Sequence, residues 1–216
     1  PGDGRNAVGA ADRDTWALRE RLAKRLFGIC CAAVAILALA PLLLLVALAI
    51  KLDSPGPVLY SQKRTAEFGD TFTVYKFRSM TPDAEADTGA VLSAEDDGEV
   101  DPRVTRVGRV LRETHLDEVP QLWSILVGDM SVVGPRPERP ELDDDIQQSV
   151  HTWQQRWFVR PGLTGLAQIN DVASTNPAEK LRYDVAYIRN QSFWFDFGIL
   201  LRQLWMVVED SVGFLR

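Results

Sequence analysis

The sequence predicts an α+β fold, a mostly helical cytoplasmic domain with a small β-hairpin, anchored by an N-terminal re-entrant membrane helix that Pro41 breaks. Three observations support this prediction. An uncharged apolar run covers Leu26–Ile50, two short strand-like segments follow it, and helix start signals recur through the rest of the chain. The predicted organisation is a disordered tail over residues 1–15, a membrane-associated re-entrant helix over 16–52, and a cytoplasmic domain with interfacial helices over 53–216.

The apolar run is long enough to cross a membrane, but a proline interrupts it. At ~1.5 Å per residue the run extends about 37 Å, against a hydrocarbon core of ~30 Å. Pro41 removes a backbone donor and clashes with the carbonyl of Leu37, which leaves arms of about 22 and 15 Å. Neither arm crosses the bilayer alone. A plain transmembrane helix remains an alternative, because spanning helices tolerate proline, and so does a signal peptide, although its apolar core is only about 7–15 residues.

Basic residues flank the apolar run on both sides, and positive charge marks the cytoplasmic side of a membrane. The basic residues are Arg19, Arg21, Lys24 and Arg25 before the run, and Lys51, Lys63 and Arg64 after it. A single crossing places one of these flanks on the wrong side. A helix that enters, bends at Pro41 and returns places both on the cytoplasmic face, so the flanks favour the re-entrant path.

After a Ser-Pro-Gly-Pro turn, the segments Val58–Arg64 and Thr71–Phe77 are predicted as two strands, with a turn over Glu67–Asp70 between them. The acidic stretch Asp83–Asp101 is interpreted as a solvated loop. Helices are predicted over Val104–Glu113, Pro120–Val127, Pro140–Phe158, Pro177–Asn190 (capped by Asn176) and Phe195–Val212.

Composition excludes several classes of protein. The chain holds 24 Lys and Arg against 30 Asp and Glu, a formal net charge of −6, which argues against a general nucleic-acid binder. Cys30 and Cys31 are adjacent inside the apolar run, so they indicate neither a disulfide framework nor a zinc site. His115 and His151 are interpreted as structural or surface residues.

Two adjacent carboxylates, Asp117 and Glu118, are the candidate catalytic residues. Such a pair before Pro120 is usually only a helix N-cap. In the functional interpretation one carboxylate attacks phosphorus and the other handles protons or a metal. Mg²⁺ would relieve their repulsion and offset a pyrophosphate charge. Arg112 could hold a phosphate oxygen, and a helix starting at Pro120 would direct its positive end toward an anion.

Further cations stand in three segments that are candidates for a phosphate site, although each could also be a solvated surface charge. They are Lys76 and Arg78 at the end of the second strand, Arg136 beside Glu138 in a Gly-Pro-Arg-Pro-Glu loop, and Arg160 in a glycine-interrupted loop. No P-loop or GxGxxG motif is present in the sequence.

The motifs occur in a specific order. They are the Pro-containing apolar segment, PGPV at 55–58, YKFRSM at 75–80, LDEVPQLW at 116–123, GDMSVVGPRPE at 128–138, RPGLTGLAQI at 160–169 and YDVAYI at 183–188. This set closely resembles the bacterial sugar transferase family, the monotopic polyprenyl-phosphate phosphoglycosyl transferases, from about Lys24 to the C-terminus. One departure is Ala40, which stands where the family often has a Ser before the hairpin proline.

The resemblance implies a catalytic domain in which an Asp attacks the β-phosphorus of a UDP-sugar and releases UMP. The resulting aspartyl phosphosugar then passes to undecaprenyl phosphate, as the first membrane step of exopolysaccharide or glycoconjugate synthesis. Matched by motif, Asp117 would be nucleophile and Mg²⁺ ligand, Glu118 the acid/base partner or a further support for the metal, and Arg112 a phosphate-binding residue. Lys76, Arg78, Arg136 and Glu138 would line the nucleotide-sugar site.

The resemblance also implies a place and partners. The expected location is the cytoplasmic face of the inner membrane, and the expected partners are a UDP-sugar, polyprenyl phosphate and membrane lipid. A homodimer is left open. Two other functions also remain open, a membrane-tethered nucleotide-sugar glycosyl transferase or hydrolase, and a non-catalytic membrane adaptor that would tolerate Asp117→Asn.

Overall fold

The computed structural model describes residues 18–82, 84, 101–172 and 175–214. The predicted tail and most of the acidic stretch lie outside these residues. The helices are α1 Leu18–Asp53, α2 Arg106–Glu113, α3 Leu122–Val127, α4 Pro140–Ser149, α5 Pro177–Asn190 and α6 Phe193–Phe214. The strands are β1 Leu59–Thr65, β2 Thr71–Phe77, β3 Ser131–Val133 and β4 Gly162–Thr164, and short 3₁₀ turns cover Glu67–Gly69, Leu116–Gln121, Trp153–Phe158 and Gln168–Asn170. The predicted α+β class with a small hairpin is confirmed.

The long apolar helix α1 continues through Pro41. A proline inside a helix removes one backbone hydrogen bond, and a helix can continue past it with a local adjustment. The segment is therefore one helix of 36 residues, and the predicted break does not divide it into two. Among the described residues it is the one helix long and apolar enough to cross a membrane.

Both ends of α1 contact the same folded domain. Near its start, Lys24 pairs with Asp196 of α6 at 2.9 Å. Near its end, Ile50 packs in an apolar cluster with Phe77 of β2 and Leu111 of α2. Large apolar side chains along the rest of α1 remain exposed, among them Val34, Leu37, Leu44, Leu45, Leu48 and Leu52.

The predicted hairpin is confirmed, with β1 and β2 antiparallel in the register Tyr60↔Lys76 and Thr65↔Thr71. Phe72 and Val74 of β2 are buried in the main apolar core, which also holds Ile125 and Tyr187. The alternation along β2 therefore turns one face toward the core. This packing fixes the position of β2, whose end carries Lys76, one of the candidate site residues.

Two parts of the fold differ from the sequence-based prediction. The strands β3 and β4 form a short parallel pair that was not predicted, because three-residue strands carry almost no periodic signal. The single helix predicted over Pro140–Phe158 is instead α4 followed by a 3₁₀ turn that starts at Trp153. Val150 leaves the helical conformation with φ −118° and ψ 80°, which ends α4 there.

Candidate active site

The carboxylate of Glu118 lies between two cations. Lys76, near the end of β2, donates to Oε1 of Glu118 at 2.7 Å. Arg136, in the loop after β3, donates to Oε2 at 3.1 Å and also to Oε1, so its guanidinium binds the carboxylate through two nitrogens. The structure therefore brings together three residues that the sequence places far apart. Burial favours a neutral Glu118, but Arg136 and Lys76 outweigh it and hold the pKa of this carboxyl well below its usual range.

The neighbouring carboxylate of Asp117 has different surroundings. It accepts no hydrogen bond from the residues that the structure describes. Burial and the charge of Glu118 raise the pKa of Asp117, against the opposing fields of Lys76, Arg136 and Arg112. The two adjacent carboxylates thus differ in their hydrogen bonding, because Lys76 and Arg136 bind Glu118 whereas no described residue donates to Asp117.

The dyad is presented by a 3₁₀ turn over Leu116–Gln121. His115 precedes the turn in a left-handed conformation with φ 55°, which is uncommon for a residue other than glycine and occurs often near functional sites. Pro120 lies inside this turn, and α3 begins only at Leu122. The expectation that Pro120 starts a helix is therefore wrong, and the anion site predicted at that helix start stays a prediction. The turn leads directly into α3 and holds both carboxylates in one short segment.

Arg112 reaches the site from α2. The side chain of Thr105 caps the start of α2 by accepting from the amide of Gly108 at 2.9 Å. A Cβ at Gly108 would lie 1.9 Å from the carbonyl oxygen of Ser79, so only glycine lets α2 pack this closely on the chain after β2. At the other end of α2, Arg112 Nε donates to Ser79 Oγ at 3.0 Å. The exposed guanidinium adds a third cation to the field around Asp117.

Two of the residues predicted to line the substrate site have other partners. Arg78 is buried and donates to the backbone of Ser54 at 2.8 Å and of Pro55, so it ties the turn after α1 to β2. Glu138 is buried and binds Lys180 of α5 in an ion pair, with Arg64 at 3.6 Å. Neither side chain contacts Glu118 in the structure. Their predicted contacts with the nucleotide sugar stay predictions.

The donors around the dyad fit a magnesium ion held mainly by its substrate. Mg²⁺ usually binds through one or two carboxylates together with phosphate oxygens and water. Asp117 provides a free carboxylate, whereas both oxygens of Glu118 are already bound by cations. Among the described residues, no group of three or more His, Cys, Asp or Glu side chains could form a metal cage. The arrangement therefore suits an ion shared between Asp117 and a pyrophosphate.

A buried ion pair behind the Arg136 loop was not predicted as part of the site. Arg156 donates to Asp184 of α5 at 2.6 Å, and both side chains are 2% exposed. Arg156 also donates to the backbone carbonyl of Arg136 at 2.6 Å. A signal for this network exists in the sequence, because Lys180 and Asp184 share one helical face with the buried Tyr187. Charges on the apolar face of a helix indicate buried pairs.

Comparison with known proteins shows which family this chain resembles in sequence. The model of the family described as bacterial sugar transferase matches residues 19–210. Over 189 residues the chain is 43% identical to an undecaprenyl-phosphate glucose phosphotransferase of Komagataeibacter xylinus, covering 84% of this chain and 35% of that protein. It is 40% identical over 184 residues to a UDP-N-acetylgalactosamine-undecaprenyl-phosphate N-acetylgalactosaminephosphotransferase of Aeromonas hydrophila, covering 84% of this chain and 42% of that protein.

A third relative has nearly the same length as the aligned region. The exopolysaccharide production protein PSS of Rhizobium leguminosarum bv. phaseoli is 42% identical over 199 residues, covering 88% of this chain and 98% of that protein. The chain thus spans about a third to two fifths of the two longer relatives and almost all of the shorter one. The match over residues 19–210 includes the dyad and every cation around it, and the chain belongs to the bacterial sugar transferase family.

Proposed function

We propose that this chain transfers a sugar-1-phosphate from a UDP-sugar to polyprenyl phosphate, through a covalent intermediate on Asp117. The observation that carries the proposal is the asymmetry of the dyad, in which Lys76 and Arg136 bind Glu118 while the Asp117 carboxylate accepts no hydrogen bond from the described residues. A free carboxylate among cations is suited to attack a phosphorus atom that carries negative charge. The names of the two longer relatives describe phosphosugar transfer to undecaprenyl phosphate.

In the first step, an oxygen of Asp117 attacks the β-phosphorus of the UDP-sugar. The bond from that phosphorus to the bridging oxygen breaks, and the electron pair leaves with UMP. Arg112 and Arg136 neutralise charge on the phosphoryl oxygens as the bond breaks. Glu118, already a carboxylate, keeps Lys76 and Arg136 in place, so it acts on the reaction through the two cations.

In the second step, an oxygen of polyprenyl phosphate attacks the phosphorus of the aspartyl phosphosugar. The acyl phosphate bond breaks, the carboxylate of Asp117 is restored, and the product is a polyprenyl diphosphate sugar. No net proton is consumed when the acceptor phosphate is fully ionised. When bound to Asp117 and the pyrophosphate, Mg²⁺ would offset negative charge between the nucleophile and its target.

We also propose that α1 enters the cytoplasmic face of the inner membrane and returns to it. The ion pair of Lys24 near one end and the packing of Ile50 near the other support this path, because both ends contact one domain. A crossing helix would place its ends in different compartments. The exposed apolar face of α6, with Trp194 and Trp205, suits a neighbouring position at the headgroups. The acceptor phosphate lies at that same depth. A homodimer stays a prediction.

The sugar is left open, because relatives of similar identity carry glucose in one name and N-acetylgalactosamine in another. The covalent step is tested with a UDP-sugar labelled in its sugar, given to the purified protein without acceptor. The wild type should retain the label after denaturation, and Asp117→Asn should not, because the amide cannot form the acyl phosphate. Label retained by Asp117→Asn would remove this residue from the nucleophile role. Normal turnover by that variant would favour another enzyme class.

A further inference from the structure

We propose that Arg156, held by Asp184, is a positioning residue that fixes the loop of Arg136 and so keeps Arg136 paired with Glu118. The inference rests on the proposed function, because it concerns the orientation of a cation at the phosphoryl-transfer site. Arg156 itself is 3% exposed, so it acts on the reaction through Arg136 and not through the substrate.

The contacts of Arg156 form a chain that ends at the dyad. Its Nη2 donates to the carbonyl oxygen of Arg136 at 2.6 Å, and its Nε donates to Oδ2 of Asp184 at 2.6 Å. Arg136 in turn binds both oxygens of Glu118. One chain of contacts therefore leads from Asp184 of α5 through Arg156 to the backbone of Arg136. The side chain of Arg136 continues it to Glu118 in the catalytic turn.

The loop needs this support at one particular bond. Arg136 lies between Pro135 and Pro137, whose rings fix φ at about −65°. A residue before proline is also restricted to extended conformations. The backbone torsion φ of Arg136 is then the least restricted one next to the guanidinium. Rotation about it moves the side chain and the carbonyl of Arg136 together, so the hydrogen bond from Arg156 to that carbonyl limits both.

The position of Arg156 is itself fixed by packing and charge. Its guanidinium lies 4.1 Å from the centre of the Trp153 ring, and the indole Nε1 donates to Asp143 at 2.5 Å. Three carboxylates surround it, those of Asp143, Asp184 and Glu138, and Glu138 is in turn paired with Lys180 and Arg64. These buried charges hold Arg156 in place, because movement of any one of them would leave an oppositely charged group buried without its partner, which is strongly destabilising.

The planar fork of arginine is necessary for this role. One guanidinium reaches a carboxylate with one nitrogen and a backbone carbonyl with another, whereas the single ammonium of lysine is a compact charge on a flexible stem. Arg156→Lys therefore keeps the charge but cannot hold both Asp184 and the Arg136 carbonyl in the same geometry. A displacement of about 1 Å at a catalytic group can cost on the order of 100-fold in rate.

The first arm of the test is a double-mutant cycle on kcat/KM for nucleotide release from a UDP-sugar. Arg156→Lys alone should lower kcat/KM about 100-fold. In an Arg136→Ala background the same substitution should cost less than about 3-fold, because the side chain that Arg156 positions is already absent. Equal losses in the two backgrounds would overturn the proposal, since they would show that Arg156 acts independently of Arg136.

The second arm needs no activity. Hydrogen exchange is measured at the amides of Gly162 and Thr65, which donate to the loop carbonyls of Pro135 and Glu138 at 2.9 Å, in the wild type, in Arg156→Lys and in Asp184→Asn. Both variants should exchange about tenfold faster at these two amides. The matched control is Asp196→Asn, which removes another buried carboxylate from its cation, Lys24, and should leave the exchange of these amides unchanged. Unchanged exchange in Arg156→Lys, or equal acceleration in the control, would overturn the proposal. If the wild type releases no nucleotide, the proposed function fails, and this arm still decides the positioning role.

Discussion

Arg136 binds both carboxylate oxygens of Glu118, and this pairing leaves Asp117 as the carboxylate of the dyad without a hydrogen bond from the described residues. The same two cations that pair with Glu118 also act to lower the pKa of Asp117, against burial and the charge of Glu118, which raise it. The carboxylate that we propose as the nucleophile is therefore kept close to positive charge without a hydrogen bond that would block it.

Arg136→Lys should reduce turnover about 100-fold, because lysine cannot bind a carboxylate through two nitrogens and one stabilising donor at the site is lost. The measurement is the initial rate of nucleotide release at saturating donor and acceptor. Arg182→Lys, an exposed position on α5, is the matched control and should keep the wild-type rate. A wild-type rate in Arg136→Lys would show that the bidentate contact does not matter for the reaction.

Glu118→Gln should slow turnover by about 100-fold and still allow the covalent mark on Asp117 to form, because it removes the anchor of Lys76 and Arg136 but not the nucleophile. The amount of labelled protein is followed over time after addition of a donor labelled in its sugar. Complete loss of the mark, as expected for Asp117→Asn, would assign Glu118 a role in forming the covalent bond itself.

The topology of α1 is tested by thiol labelling in a chain whose native Cys30 and Cys31 are replaced by Ser. Single cysteines at Asn6 and at Asp70, an exposed turn residue, should both be shielded from an impermeant reagent in intact cells and both react in inverted vesicles. Asp196 is unsuitable for labelling, because it is buried against Lys24. Reaction of only one of the two cysteines in intact cells would indicate a crossing helix.

Pro41→Leu should move part of the population toward a crossing helix, since it restores the backbone donor that proline lacks. The measurement is the fraction of the Asn6→Cys chain that becomes reactive in intact cells. Val34→Leu, an exposed apolar change on the same helix, is the control and should leave labelling unchanged. No increase for Pro41→Leu would show that the proline does not determine the path.

The buried pair of Glu138 and Lys180 should make stability depend on pH. Burial raises the pKa of Glu138, but Lys180, Arg156 and Arg64 outweigh it and hold the pKa of this carboxyl below its usual range. A depressed carboxyl pKa contributes stability above the unfolded value, and that contribution is lost as the pH falls through the folded value. Glu138→Gln should therefore cost about 3–5 kcal/mol at pH 7, because it leaves Lys180 buried without its partner.

The difference between Glu138→Gln and the wild type should begin to shrink as the pH falls below about 4.3, the pKa of an unfolded glutamate, because the unfolded wild type then binds a proton that the folded carboxyl does not. Denaturant unfolding followed by the fluorescence of the tryptophans, including the fully buried Trp153, measures it at each pH. A difference that stays constant from pH 7 to pH 3.5 would show that the charge of Glu138 does not stabilise the fold.

Much of the local structure could be predicted from the sequence, because its signals are local. The hairpin follows from alternation over Thr71–Phe77, and α5 follows from Asn176, Pro177 and Glu179 in capping order. The dyad was predicted by its motif. Where the signal was weak, the prediction failed: a proline at position 120 indicates a helix start, but tertiary contacts place it inside a 3₁₀ turn.

The partners of each charged residue could not be predicted, because they come from segments distant along the chain. Arg78 and Arg136 stand in similar short basic motifs, yet one binds the turn after α1 and the other binds Glu118. The partner of each arginine depends on which segments of the chain the fold places next to the ends of β2 and β3. Arg156 was overlooked for the same reason, since its contacts with Asp184 and with the Arg136 carbonyl cross 28 and 20 positions of sequence.

The nucleotide that leaves tests the central claim most directly. Purified protein in detergent is given Mg²⁺, polyprenyl phosphate and a panel of UDP-sugars, and the released nucleotide is identified. Attack at the β-phosphorus by Asp117 predicts UMP, dependent on Mg²⁺, with ping-pong kinetics because UMP leaves before the acceptor reacts. Release of UDP would mean that the bond between sugar and oxygen breaks, which would contradict phosphosugar transfer and establish a glycosyl transferase or hydrolase instead.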